Sequence, residues 1–135
     1  MRNFVKNLLM NNTITSQFRV ITPDTLNSHG TLFGGTAMKW MDEVAYINAT
    51  KLTGQKMVTV KVNQIRFLHP VKPGKIIEIT SEVTKIKNVS IEIKIEILAE
   101  VDDSINRQKV IEGNFIFAAV DESNMPVIIK IICNT

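Results

Sequence analysis

Residues 27–45 read NSHGTLFGGTAMKWMDEVA, and this stretch decides how the rest of the chain is understood. Asparagine, histidine and three glycines precede a run whose apolar residues recur with a helical period. From Gly35 to about Leu52, Ala37, Met41, Val44 and Asn48 fall on one stripe, with Trp40 and Ile47 flanking it. Thr53-Gly54 supplies the stop, because glycine tolerates the left-handed residue that ends many helices. One long helix is therefore expected, opened by a glycine pair and carrying Asp42 seven residues beyond it.

On either side of that helix the pattern changes from helical to alternating. Before it, SQFRVI (16–21) makes a first strand that Pro23 ends, since proline lacks the donor a ladder needs. After it, KMVTVKVNQIRF alternates at Val58, Val60 and Val62 and resumes at Ile65 and Phe67. The one-residue slip predicts a bulge near Asn63-Gln64. The turn-rich HPVKPG (69–74) leads into KIIEITSEVTKI, and SIEIKIEILAEV follows Lys87-Asn88. Asp102-Asp103-Ser104 then turns the chain into KVIEGNFIFAAV, and VIIKII (127–132) is expected to add a short edge strand. Period-two strands with one polar face are antiparallel strands covered on one side, and a single helix is available to cover them. The expected class is α+β, one long helix wrapped by a five- to six-stranded antiparallel sheet.

The chain has 135 residues and a mass of 15.2 kDa, which suits one core. Residues 1–13 read as a lead-in and 14–135 as a single domain. No apolar run approaches the roughly 20 residues that span a bilayer, and MRNFVKNLLMNN lacks the apolar core of a signal peptide. The single Cys133 has no internal disulfide partner, which fits a reducing compartment and an expected cytoplasmic location. A net charge of +3 is mild, and the lysines are scattered along strands. Neither a nucleic acid nor a membrane partner is expected, whereas a small phosphorylated ligand needs only a few cations. His29 and His69 lie far apart without metal-ligand spacing, and no Gly-x-Ser-x-Gly elbow is present, so neither metal nor serine nucleophile is expected.

The chemistry lies in the helix start. Backbone N–H groups at Gly34-Gly35 have no acceptor within the helix, and the helix dipole there favours negative charge on a nearby oxygen. Asp42 returns to nearly the same face about 10 Å further along the axis. Its stripe neighbours are Met38, Ala45 and Ala49, two of them small. An oxyanion donor and a base that serve one carbonyl must each lie within about 3 Å of their own atom. A gap of about 10 Å on one helix is bridged most simply if two subunits each contribute one of the two groups. Taken singly, a Gly-Gly helix start is most often only a tight loop, and a helical Asp most often a solvated charge.

Jointly, Asn27, His29-Gly30, Phe33-Gly34-Gly35 and Trp40-Met41-Asp42-Glu43 resemble the pattern of hotdog-fold acyl-CoA thioesterases, in the acyl-CoA hydrolase branch. The resemblance continues through Val58-Thr59-Val60, Phe67, Pro70, Gly74 and Ser90-Ile91, and covers roughly residues 14 to 121. It implies that Asp42 is a general base toward water, or a nucleophile. It implies that the Gly35 N–H polarises the thioester carbonyl, with Gly34 shaping the loop, and that Asn27 positions water or substrate. Val58 to Val62, including Thr59, Val60 and Lys61, would follow the pantetheine arm and pair with a second subunit. His29, Thr31 and Phe33 would contact substrate, and Arg66, Lys87 and Ser90 would contact CoA phosphates. Thr31 stands where some members have Asn or Asp, and Lys75 where an Asp is common. The implied assembly is a homodimer, three of which stack into a hexamer, acting on acyl-CoA without cofactor or metal. Two alternatives remain open at this point: a non-catalytic acyl-CoA-binding protein, and a narrow aryl-acetyl-CoA thioesterase.

Overall fold

The computed structural model describes residues 14–100 and 106–132. The lead-in 1–13, the Asp102-Asp103-Ser104 turn and Cys133 lie outside them. Strand β1 (Ile14–Val20) is followed by a single 3-10 turn (Pro23–Thr25) and then by helix α1 (Gly34–Thr53). Strands β2 (Met57–Phe67), β3 (Ile76–Ile86), β4 (Ser90–Glu100) and β5 (Arg107–Ala119) complete one antiparallel sheet in the order β1-β3-β4-β5-β2. Among the described residues this is the hotdog arrangement, five strands with one helix laid across them.

Alternation in the sequence becomes two-faced burial in the sheet. Ile91, Ile93, Ile95 and Ile97 of β4 are fully buried, as are Ile77 and Ile79 of β3 and Phe117 of β5. They pack beneath Ala37, Met41, Val44, Ala45 and Ala49 of α1. The three alanines let the helix lie close to the sheet. Each large side chain buried this way contributes about 1.5–3 kcal/mol of transfer free energy. Within this apolar layer Asn48 donates to Ser81 Oγ at 2.9 Å, and Ser81 Oγ meets Thr15 Oγ1 at 2.6 Å. That chain of three fastens α1 to β3 and to the edge strand β1.

The helix begins one residue earlier than its apolar period indicates, at Gly34, because Phe33 takes the N-cap position with extended backbone. It stops at Gly54, whose φ of 65° is the left-handed cap that glycine allows. The bulge predicted near Asn63-Gln64 lies between Asn63 and Arg66, with Gln64 at φ 57°. A second irregularity, between Thr59 and Lys61, is invisible in the alternation, since Val58, Val60 and Val62 stay in phase.

The expected sixth strand does not form. Residues 127–132 run without strand pairing, apart from a bridge between Val120 and Pro126 just before them. Their backbone bonds go to three different places, Val127 N–H to Ala119 O, Ile129 N–H to Asn88 O and Ile132 N–H to Leu52 O. Alternation there reports which side chains are buried, Val127, Ile129 and Ile131 packing against the core. It does not report a ladder.

Candidate functional site

The loop ahead of α1 is built around Asn27. Its Oδ1 accepts the backbone N–H groups of His29 (2.9 Å) and Thr31 (3.1 Å), and its Nδ2 donates to Thr31 Oγ1 at 3.0 Å. Its backbone N–H reaches Thr31 O at 2.7 Å, and Gly30, at φ 77°, makes the reversal. Leu32 N–H then bonds Val71 O and Phe33 N–H bonds Thr25 O, both at 2.8 Å, which fixes where the helix begins. His29 sits exposed at the loop tip, while Thr31 faces inward with Asn27.

Phe33 gives no side-chain cap, and the first helical bond runs from Ala37 N–H to Phe33 O at 3.1 Å. The N–H groups of Gly34, Gly35 and Thr36 therefore precede the first turn's acceptors. A Cβ on Gly34 would lie 3.2 Å from the Phe67 ring, and one on Gly35 only 2.8 Å from Phe33 Cε1. Two aromatic rings thus close over the glycine pair, and both remain half exposed. Asn27, Thr31, Gly34, Phe67 and His69 line a depression of about 410 Å³ at this helix terminus.

Asp42 lies in a different depression, of about 350 Å³, together with Glu43, Tyr46, Ile47 and Thr59. Thr59 Oγ1 donates to Asp42 Oδ1 at 2.7 Å, joining the third turn of α1 to edge strand β2. Among the described residues no hydrogen-bond partner holds Oδ2, and Asp42 lines the depression. Glu43, one residue on, turns the other way: Arg19 of β1 holds it at 3.4 Å and stacks over Trp40 at 4.7 Å. β1 and β2 are opposite edges of the sheet, so the adjacent carboxylates are drawn apart. The two depressions have no lining residue in common.

The three residues singled out for phosphate do not converge. Arg66 bonds Glu112 Oε1 at 3.3 Å, and Lys109 holds the other oxygen at 2.8 Å. The Lys109 ammonium, with Arg66 adding to it, keeps the Glu112 carboxyl below its ordinary range. Lys87 is 3.7 Å from Glu92, and its backbone N–H closes the β3–β4 turn onto Ser90 O. Ser90 is level with Ala118 of β5, whereas Arg66 is level with Glu112. At about 3.3 Å per residue the two places are roughly 20 Å apart along that strand. Val60 and Lys61 are exposed on β2 beside Thr59. Phe67 and His69 were missed as lining residues, and so was the pairing of Thr59 with Asp42. Phe67 and His69 flank the strand end just before Pro70, a signal that was legible, but the Thr59 contact depends on how the sheet closes over the helix.

Among the described residues, no group of three His, Cys, Asp or Glu is placed to hold a metal ion, and no helix is long and apolar enough to cross a membrane. A model of the thioesterase superfamily matches residues 29–105. An uncharacterized acyl-CoA thioester hydrolase of Buchnera aphidicola is 35% identical over 124 residues, spanning 90% of this chain and 91% of its own length. The chain covers only 30% of the length of the cytosolic acyl coenzyme A thioester hydrolase of Rattus norvegicus, to which it is 30% identical. The acyl-CoA hydrolase of Staphylococcus aureus, solved with butyryl coenzyme A, coenzyme A and coenzyme A disulfide, superposes with a TM-score of 0.82 at 28% identity, over 89% of this chain and 73% of that one. Alanine variants of that enzyme at an asparagine, an aspartate and a threonine superpose equally well, with a TM-score of 0.82. A hexameric thioesterase of Yersinia pestis gives a TM-score of 0.78 at 29% identity, covering 84% of this chain and 93% of its own.

Proposed function

The chain belongs to the thioesterase superfamily, and from that premise we propose that it hydrolyses acyl-CoA to a free carboxylic acid and CoA at sites shared between two subunits. The observation that carries this is the carboxylate of Asp42, held through one oxygen by Thr59 at 2.7 Å and open through the other. Asn27, Asp42 and Thr59 also reproduce the spacing of the asparagine, aspartate and threonine replaced in the S. aureus hydrolase.

Asp42 Oδ2 takes a proton from water as the water oxygen attacks the thioester carbon. Negative charge gathers on the carbonyl oxygen, where the N–H groups at Gly34-Gly35 of the partner's helix stabilise it. The C–S bond then breaks, the acid departs, and the proton from Asp42 returns to the CoA sulfur. No metal or cofactor enters this sequence. Asn27 holds the oxyanion loop in shape. Its side chain, bonded to Thr31 and His29, positions the loop, and the second Nδ2–H is left to orient water or substrate in the depression that Asn27 lines.

Two facts favour the shared site. The base and the helix terminus open into separate depressions of one protomer. β2 is an edge strand that exposes Thr59, Val60 and Lys61, available to pair with its counterpart across a two-fold. Hexameric assembly of the Y. pestis relative supports three such dimers together, and the cytosolic rat relative supports a cytoplasmic setting. Replacement of Asp42 by Asn should lower turnover at least about 10²-fold, as loss of a general base does, while CoA affinity changes little. Thiol release from butyryl-CoA measures the first and calorimetry the second. Near-normal turnover would remove Asp42 from the mechanism. Undiminished CoA binding by a wild-type protein that releases no thiol would favour an acyl-CoA-binding role instead.

A further inference from the structure

The depression that holds Asp42 has a second half that the hydrolytic step does not use. Thr59 draws Asp42 toward β2, and Arg19 draws Glu43 toward β1 at the far edge of the sheet. Between the diverging carboxylates the remaining lining is Tyr46 and Ile47. Tyr46 follows Asp42 by four residues, on the same helical face and about 6 Å further from the helix N-terminus. Its ring is half exposed, at 47%, although Ala45 and Ala49 beside it are fully buried. A large aromatic that is kept out of the core and placed one turn beyond the base is positioned to meet a ligand.

Resting on the thioesterase reading, we propose that Tyr46 sets acyl specificity: the acyl chain of the bound thioester lies along the Tyr46–Ile47 surface, and the phenol ring limits its length. The chemistry of the substrate selects this orientation. The nucleotide carries phosphates, and the depression offers them two carboxylates and no cation. The pantetheine arm carries amides that would face a ring and an aliphatic chain. Only the acyl group is apolar along its whole length, so it alone gains by covering these two side chains.

The test is the ratio of kcat/KM for octanoyl-CoA to that for butyryl-CoA, in wild type, Tyr46→Ala and Tyr46→Phe. Removing the ring should raise the ratio roughly tenfold, about what two more buried methylenes supply. Tyr46→Phe keeps the bulk and should keep the ratio. A ratio within twofold of wild type in Tyr46→Ala, or an equal fall for both substrates, would overturn the assignment while leaving the thioesterase reading intact. A wild type inactive on both would overturn that reading and this inference with it.

Discussion

A carboxylate on a helix face is ordinarily a solvated charge, and Asp42 differs because Thr59 Oγ1 fixes one of its oxygens. A hydrogen bond to a charged group contributes about 1.5–3 kcal/mol, and tenfold in rate corresponds to about 1.4. Thr59→Ala should therefore lower kcat by about tenfold or more through misplacement of Asp42, with KM little changed. Thr59→Ser retains the hydroxyl and should restore most of the rate. A Thr59→Ser variant as slow as Thr59→Ala would show that the methyl packing, not the hydrogen bond, matters. The helical period places Asp42 and the glycine pair, but only the joint pattern with Asn27, His29 and Trp40 singles them out from a solvated charge and a tight loop. Thr59 was legible only as a substrate neighbour, because its pairing with Asp42 is a contact between edge strand and helix. The sequence shows the glycine pair as a source of free N–H groups, whereas the rings of Phe67 and Phe33 supply a second reason for glycine that spacing alone does not reveal.

Element by element, periodicity was a good guide to what is buried and a poorer one to what is paired. The helix and strands β2 to β5 follow from it, because each has one face on a common core, whereas β1 turns Ile14, Phe18 and Val20 outward. The segment 127–132 has the same alternation, yet its donors go singly to β5, to the β3–β4 turn and to the end of α1. Gln55 completes the strap, its side chain bonding both Ile128 O and Lys130 N–H. Ile132 closes over Gly54, where a Cβ would come within 2.5 Å of its Cδ1. Gly54→Ala should thus cost about 1 kcal/mol or more, since the left-handed cap and the overlying side chain both oppose it. Urea denaturation measures this, and an unchanged midpoint would show that the helix end is held by other contacts.

For the whole molecule, the shared site is the central claim of the proposal, and the separation of the two depressions is what favours it. Asp42→Ala and Asn27→Ala damage opposite halves: the first removes the base, and the second removes the bonds that shape the loop before the helix terminus. Each variant alone should be inactive. Dissociated, mixed in equal amounts and reassembled, half of the dimers pair one variant with the other. In such a dimer one site carries both lesions and the other carries none. Thiol release from butyryl-CoA should then recover to about a quarter of the wild-type rate when pairing is random about an isologous two-fold. With subunit exchange verified by native mass, no recovery would mean that Asp42 and Asn27 serve the same site from one chain, and the shared-site mechanism would be wrong.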